Sequence, residues 1–135
     1  MAGQLVLFAC VHNAGRSQMA AALFNALVDP ARARALSAGT KPGPVVHPEV
    51  AMVMREIGID LSSATPRQLT DDLAGRATLL ITMGCGEQCP YVPGVERSDW
   101  ALADPKGRPV EEVRAIRDDI RSRVAALIEA RGWQA

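Results

Sequence analysis

Residues 4–28, QLVLFACVHNAGRSQMAAALFNALV, place a short loop between two elements of different pattern. Residues 4–10 form an apolar run with branched and aromatic side chains, which is typical of a buried strand. From Ser17 to Val28 apolar residues recur at helical spacing, and Asp29-Pro30 ends the helix. A strand that leads through a loop into a helix is the building unit of parallel α/β sheets. The stretch therefore predicts an α/β fold.

The remaining chain continues the alternation of strands and helices. Further strands are predicted over residues 33–38 and 77–83 and within 95–102, and further helices over 48–56, from near Thr70, and over 109–131. This order implies parallel strands joined by right-handed crossovers. We therefore predict a single domain over residues 1–135, an α/β three-layer sandwich with a central, mostly parallel four-stranded sheet and helices on both faces.

The composition narrows the class of protein. Lys plus Arg and Asp plus Glu number 15 each among 135 residues, so the charge balance gives no reason to expect nucleic acid or an anionic membrane as partner. No apolar stretch approaches the roughly 18 residues of a membrane helix, and the run at 5–10 lacks the basic residues that precede a signal peptide core. We expect a cytoplasmic monomer whose three cysteines serve catalysis or redox chemistry.

The loop after the first strand carries the pattern of an oxyanion site. A loop that enters a helix directs unpaired N–H groups and the positive end of the helix dipole into one space. Gly15 allows backbone angles that other residues resist, and Asn13 tolerates left-handed geometry. Arg16 presents a planar fork that suits two oxygens of a tetrahedral anion. The predicted oxyanion-binding loop consists of Val11, His12, Asn13, Ala14, Gly15 and Arg16.

The same loop predicts a nucleophile. Inward N–H groups, Arg16 and the Ser17 hydroxyl would favour the thiolate of Cys10 over its thiol. The structural alternative is a buried cysteine that ends a strand, followed by a surface arginine. We interpret His12 as an exposed loop histidine rather than a base or ligand, and His47 as a residue at a helix start.

A general acid is expected at Asp104. Like Cys10 and Cys85, Asp104 follows a predicted strand, so these residues can share the carboxyl edge of the sheet, where ligands bind in parallel α/β proteins. A carboxylic acid that protonates a departing oxygen eases the loss of that oxygen. Pro105 stiffens the turn, although Asp-Pro alone usually marks only a turn. The competing carboxylate, Asp99, is interpreted as a surface residue.

The sequence resembles the low-molecular-weight tyrosine phosphatase superfold and, more closely, the thioredoxin-coupled arsenate reductases built on it. The resemblance extends from about Leu5 to Arg131, with landmarks besides the first loop at Ser17-Gln18-Met19-Ala20, Ser37-Ala38-Gly39, Thr82-Met83-Gly84-Cys85-Gly86, Cys89-Pro90, Trp100 and Asp104-Pro105. It implies that Cys10 is the nucleophile, Arg16 the oxyanion clamp and Ser17 the hydroxyl that stabilises the thiolate. It also implies Asp104 as general acid, arsenate as substrate, phosphate or sulfate as competing anions, and thioredoxin as reductant.

Cys85 and Cys89 predict a redox relay. Release of arsenic(V) as arsenite needs two electrons, which the formation of one disulfide supplies. Cys10 attacks arsenate, Cys85 attacks the Cys10 sulfur, and Cys89 then takes over the disulfide and frees Cys10. The spacing between Cys85 and Cys89 is shorter than in many thioredoxin-coupled relatives, so a low-molecular-weight thiol with a glutaredoxin-like protein is the other candidate reductant.

Other interpretations of these cysteines stay open. Cys85 and Cys89 could be buried or metal-binding residues, but zinc needs about four ligands and no further Cys or suitably spaced His accompanies them. No metal and no cofactor are therefore predicted. A tyrosine phosphatase of the same fold would need neither cysteine, and such phosphatases usually have tyrosine where Lys106 stands. A protein that traps arsenite or a soft metal with three thiolates would bind it without turnover.

Overall fold

A four-stranded parallel sheet forms the centre of the molecule, and its strand order is β2-β1-β3-β4. The computed structural model describes residues 3–84 and 92–134. The strands are β1 (Gln4–Cys10), β2 (Ala33–Gly39), β3 (Leu79–Thr82) and β4 (Glu96–Asp99). All the strand pairs are parallel, so the predicted, mostly parallel sheet is wholly parallel within the described residues.

The helices cover both faces of this sheet, which confirms the predicted three-layer α/β architecture. They are α1 (Arg16–Leu27), α2 (Pro48–Arg55), α3 (Asp71–Gly75) and α4 (Val110–Arg131). Successive side chains of a strand point to opposite faces, and β1 shows this alternation. Val6 and Phe8 pack into the core under α1, α2 and α4, while Leu7 and Ala9 pack into a second cluster with residues of α3.

The predicted elements are all present, and their ends differ by a few residues. Thr70 begins the short helix as its N-cap, because its side-chain oxygen accepts a hydrogen bond of 3.1 Å from the Leu73 N–H. Gly132 ends α4 in the left-handed conformation at a φ of 70°. The short strand expected within 95–102 is present as Glu96–Asp99, a polar and largely exposed segment. Its position at the edge of the sheet removes the need for apolar side chains on both faces.

The register brings the carboxyl ends of the strands together. Cys10, the last residue of β1, pairs with Gly39, the last residue of β2, and Ala9 pairs with Thr82 at the end of β3. The chain passes from Cys10 through a short loop into α1, whose first turn has no side-chain cap. The N–H groups at this helix start are thus left for other partners. No helix among the described residues is both long enough and apolar enough to span a bilayer.

A carboxylate joins α2 to α4. Arg114 of α4 donates to both oxygens of Glu56, at 2.9 Å from Nε to Oε1 and 2.6 Å from Nη2 to Oε2. Buried Arg117 also donates to Glu56 Oε1 at 3.0 Å, and to the Val53 carbonyl at 2.8 Å. The hydrogen bond from Arg114 is the main cause that holds the pKa of Glu56 below its ordinary value of 4.5.

We predict that Glu56→Gln lowers the free energy of unfolding at neutral pH. A carboxyl whose pKa is lower in the folded state contributes stability above its ordinary pKa and loses it as the pH falls. The stability difference from wild type should therefore shrink as the pH drops below about 4.5. Denaturant unfolding at neutral and at acidic pH measures this. Glu129→Gln, at an exposed position of α4, is the control and should show no such trend. A difference from wild type that stays constant with pH would contradict the role of Glu56.

Candidate active site

The loop between β1 and α1 turns its carbonyl groups outward. Every carbonyl from Cys10 to Gly15 accepts a hydrogen bond, and the donors are Thr40 N, Lys41 N, Gly43 N, Gln18 Nε2, His47 N and Met19 N, at distances between 2.8 and 3.2 Å. In a trans peptide the N–H points opposite to the carbonyl of the same unit. Outward carbonyls therefore turn the N–H groups of residues 11–16 toward the space that the loop encloses, which makes an anion-binding concavity.

The segment after β2 is the support of this loop. It donates the hydrogen bonds from residues 40, 41, 43 and 47, and it begins with Gly39 at the end of the strand. A Cβ at Gly39 would lie 2.5 Å from the Val11 carbonyl oxygen and 2.9 Å from the Asn13 nitrogen. Only glycine lets the two backbones approach this closely. The loop backbone and the end of β2 are thus fitted to one another.

Among the non-glycine residues that the structure describes, Asn13 alone has a positive φ. It is fully buried and adopts a positive φ of 50°, a region that asparagine enters more readily than most residues. Its Oδ1 accepts a hydrogen bond from Arg67 N at 2.9 Å, and its Nδ2 donates to Ser17 Oγ at 2.7 Å. A backbone N–H can only donate, so Arg67 fixes which end of the Asn13 amide is oxygen.

The Cys10 sulfur lies at the centre of these donors and is 3% exposed. It is 2.8 Å from Ser17 Oγ and accepts from Asn13 N at 3.3 Å. Because Ser17 Oγ already accepts the Asn13 amide, its own proton is available to donate to the sulfur. Hydrogen bonds donated to the sulfur stabilise the charged thiolate form. The structure thus brings together Cys10, Ser17 and Asn13, as the sequence predicted.

Arg16 is held beside this loop by contacts from two other parts of the chain. Its Nη1 donates to the Leu102 carbonyl at 3.1 Å, and the side chain is only 11% exposed. Gly84 lies against the guanidinium: a Cβ there would be 2.5 Å from Nη1, and Gly84 has a φ of +82°. These contacts within the chain therefore fix the position of the planar Arg16 guanidinium.

Asp104 also lies beside the Arg16 guanidinium. Its Oδ2 lies 3.9 Å from Arg16 Nη2, and half of its side chain is exposed. The Lys106 N–H donates to Asp104 Oδ1 at 3.0 Å, which is a turn that orients the carboxylate. Asp99 instead bonds to Thr82 and Arg97 at the edge of the sheet and is 70% exposed. Asp104 is thus the carboxylate near the loop, and its role as an acid stays a prediction.

Two histidines and two further cysteines were also considered in the sequence as candidate site residues. His12 is exposed, with Nδ1 3.1 Å from the Lys41 carbonyl oxygen. His47 donates its backbone N–H to Ala14 and begins α2 as the N-cap residue. Cys85 and Cys89 lie outside the described residues. Within residues 3–84 and 92–134, no group of His, Cys, Asp and Glu side chains is placed to hold a metal ion.

Sequence reasoning missed one buried contributor. Gln18, the residue after Ser17, is 6% exposed, and its amide reaches the Asn13 carbonyl, Asn13 Oδ1 and the Thr65 carbonyl. In the sequence, Gln18 stands out only as part of the motif Ser17-Gln18-Met19-Ala20. A polar residue in the first turn of a helix that otherwise has a buried face was the available signal.

Two known proteins resemble this chain over most of its length. A Halobacterium salinarum relative is 43% identical over 130 residues, covering 90% of this chain and 89% of its own length. The glutaredoxin arsenate reductase of Synechocystis is 33% identical, with coverages of 91% and 95%.

Two solved structures share the fold. The thioredoxin-dependent arsenate reductase of Corynebacterium glutamicum is 38% identical with a TM-score of 0.81; the match covers 95% of this chain but only 61% of that protein. An arginine phosphatase from Geobacillus stearothermophilus is 30% identical with a TM-score of 0.77, and the match covers 94% and 92% of the two chains.

The family description that matches is low molecular weight phosphotyrosine protein phosphatase, and the match runs over residues 5–132. It includes β1, the Cys10 loop, Asp104 and all of α4. On this extent of agreement in sequence and fold, the chain belongs to the low molecular weight phosphotyrosine protein phosphatase family.

Proposed function

We propose that this chain is an arsenate reductase. The observation that carries the proposal is the Cys10 sulfur, which meets the Ser17 hydroxyl at 2.8 Å and the Asn13 N–H at 3.3 Å inside a loop of inward N–H groups. That arrangement suits a thiolate nucleophile and a tetrahedral anion together. The relatives from Synechocystis and Corynebacterium glutamicum are named as arsenate reductases, which supports arsenate as the anion.

Binding uses the loop and Arg16. The N–H groups of residues 11–16 surround the anion, and the Arg16 fork takes two of its oxygens in charge-assisted hydrogen bonds. Phosphate and sulfate have the same shape and should compete with arsenate. The guanidinium is already held by the Leu102 carbonyl and by contact with Gly84, so little freedom is lost when the anion binds.

The first chemical step joins sulfur to arsenic. The Cys10 thiolate attacks arsenic(V) and an oxygen leaves as water, with Asp104 as the group that supplies the proton. Asp104 is half exposed and lies 3.9 Å from the Arg16 guanidinium, which is a position from which it can reach an oxygen held by Arg16. This role of Asp104 is part of the proposal.

Reduction then passes through the other two cysteines. The Cys85 thiolate attacks the Cys10 sulfur, a disulfide forms, and the electron pair of the sulfur–arsenic bond leaves with arsenic as arsenite. Cys89 attacks Cys85, frees the Cys10 thiolate and leaves a Cys85–Cys89 disulfide. Gly84, the residue before Cys85, packs on Arg16, so Cys85 directly follows a residue that contacts the proposed anion clamp.

A dithiol or thiol reductant has to restore the enzyme. The Corynebacterium glutamicum relative is named as thioredoxin-dependent and the Synechocystis relative as a glutaredoxin enzyme, so both systems are candidates here. The cytoplasmic location, where such reductants work, and the monomeric state stay predictions from the sequence.

Phosphatase activity is the second candidate function. The similar Geobacillus stearothermophilus protein is named as an arginine phosphatase, and phosphatase chemistry would use Cys10, Arg16 and Asp104 alike. The loop distinguishes phosphate poorly from arsenate because the two anions share shape and charge. A phosphatase has no need of Cys85 and Cys89, which is why we place reduction first.

The proposed relay predicts that replacing each of the three cysteines by serine stops the reaction at a different step. Cys10→Ser should abolish arsenate reduction because no nucleophile remains. Cys89→Ser should release one arsenite per enzyme and stop with a Cys10–Cys85 disulfide, whereas Cys85→Ser should release none without an added small thiol. Quenched single-turnover assays with mass mapping of the disulfides measure this.

One result would separate the rival functions, and a second would test the relay. Wild-type protein that hydrolyses p-nitrophenyl phosphate but yields no arsenite with thioredoxin, glutaredoxin or small thiols would support the phosphatase. Normal multiple turnover of Cys85→Ser and Cys89→Ser with thioredoxin would show that the relay is wrong even if reduction is right. Phosphate binding by both variants is the control for an intact loop.

The clamp predicts that Arg16→Lys weakens phosphate and arsenate binding by about tenfold or more, because a point charge replaces a bidentate fork. Gly84→Ala should act in the same direction, since its new methyl group would displace the guanidinium. Calorimetric titration with phosphate measures both affinities. Gly94→Ala is the matched control: Gly94 has a φ of +85° but nothing within 4 Å of the added Cβ. Equal losses of affinity in the two glycine variants would refute the contact.

A further inference from the structure

The amide of Gln18 lies in a niche of oxygen atoms behind the nucleophile loop. Its Nε2 is 3.1 Å from the Asn13 carbonyl, 3.2 Å from Asn13 Oδ1 and 3.3 Å from the Thr65 carbonyl. Backbone carbonyls can only accept, so they fix the nitrogen end of this amide in the niche. Gln18 is 6% exposed and thus depends on these partners for its hydrogen bonds.

A continuous path of hydrogen bonds leads from this niche to the sulfur. Gln18 donates to Asn13, Asn13 Nδ2 donates to Ser17 Oγ at 2.7 Å, and Ser17 Oγ lies 2.8 Å from Cys10 Sγ. Each link depends on the orientation of the one before. If the Asn13 amide turned over, its oxygen would face Ser17 and would accept the hydroxyl proton. The sulfur would then lose its side-chain donor.

We propose that Gln18 is a positioning residue for the Cys10 nucleophile. It donates to both oxygens of Asn13, and with Arg67 N it keeps the Asn13 amide facing Ser17 and the residue in its positive-φ conformation. Gln18 does not touch Cys10. It acts through Asn13 and Ser17, and it ties their geometry to the Thr65 carbonyl on a separate segment of the chain.

The surroundings of Gln18 allow its amide to be replaced without disturbing the packing of the core. Gln18 lines an open cavity of about 290 Å³ together with Thr65 and Arg67, so a side chain of equal length can be accommodated without filling a packed core. Asn25 lies on the same helix and lines the same cavity. Its amide bonds to the backbone of Ala35, at 2.8 Å from the N–H and 3.0 Å to the carbonyl. Asn25 thus has a structural amide outside the path to Cys10.

The experiment compares Gln18→Met with Asn25→Leu. The rate at which iodoacetamide alkylates Cys10, followed against pH with the modified residue identified by mass mapping, reads the ionised fraction of the sulfur directly. Gln18→Met should shift the profile to higher pH and reduce the rate by about fivefold on its acidic limb, where the rate is proportional to the ionised fraction; this is the effect of one lost hydrogen bond. Asn25→Leu should lose stability but keep the wild-type profile. A wild-type profile in Gln18→Met, or an equal shift in Asn25→Leu, would overturn the proposal.

A measurement on the wild-type protein keeps the proposal testable if Gln18→Met does not fold. In nuclear magnetic resonance spectra, the chemical shifts of the side-chain amides of Asn13 and Gln18 should change over the same pH range as the alkylation rate of Cys10. Amide chemical shifts that do not change as Cys10 ionises would overturn the proposal. The proposal rests on Cys10 being the nucleophile of the proposed function, but neither readout uses arsenate. A protein without reductase activity whose Gln18 signals still follow Cys10 would contradict the proposed function alone.

Discussion

The outward direction of the loop carbonyls is the constraint on which the site depends. Each carbonyl from Cys10 to Gly15 is bonded away from the enclosed space, mostly by the segment that follows β2. The opposing N–H groups therefore face inward; backbone N–H groups hold five of the six carbonyls, and the Gln18 side chain holds the sixth, that of Asn13. The same field favours an anion in the pocket and a negative charge on Cys10, so in the proposed function one backbone arrangement would serve both substrate binding and nucleophile activation.

The fold supplies this arrangement through the ends of its parallel strands. β1 delivers Cys10, and β2 delivers Gly39, against which the loop backbone packs closely. The chain after β3 brings Gly84 onto Arg16, and the chain after β4 brings the Leu102 carbonyl and Asp104 to the same guanidinium. Each strand thus contributes one element of the site, which explains why residues distant in sequence meet at one edge of the sheet.

The sequence predicted those parts of the structure that local patterns determine. The apolar run, the loop and the helix of residues 4–28 specify the first unit, and the strand ends predict that Asp104 lies near Cys10. The role of Gln18 could not be predicted, because its partner Thr65 lies 47 residues away and meets it only through tertiary packing. The ends of β4 within residues 95–102 could not be predicted either, since an edge strand has no obligatory apolar pattern. Cys85 and Cys89 lie outside the described residues, so the relay remains an argument from sequence and chemistry.

The central claim of the proposed function is that the loop after β1 binds a tetrahedral anion against the Cys10 sulfur. The rate at which iodoacetamide alkylates Cys10, followed by mass mapping as phosphate is added, tests this claim most directly. The account predicts that phosphate protects Cys10 from alkylation, and that Arg16→Lys needs more phosphate for the same protection. Alkylation of Cys10 at a rate that phosphate does not change would contradict it.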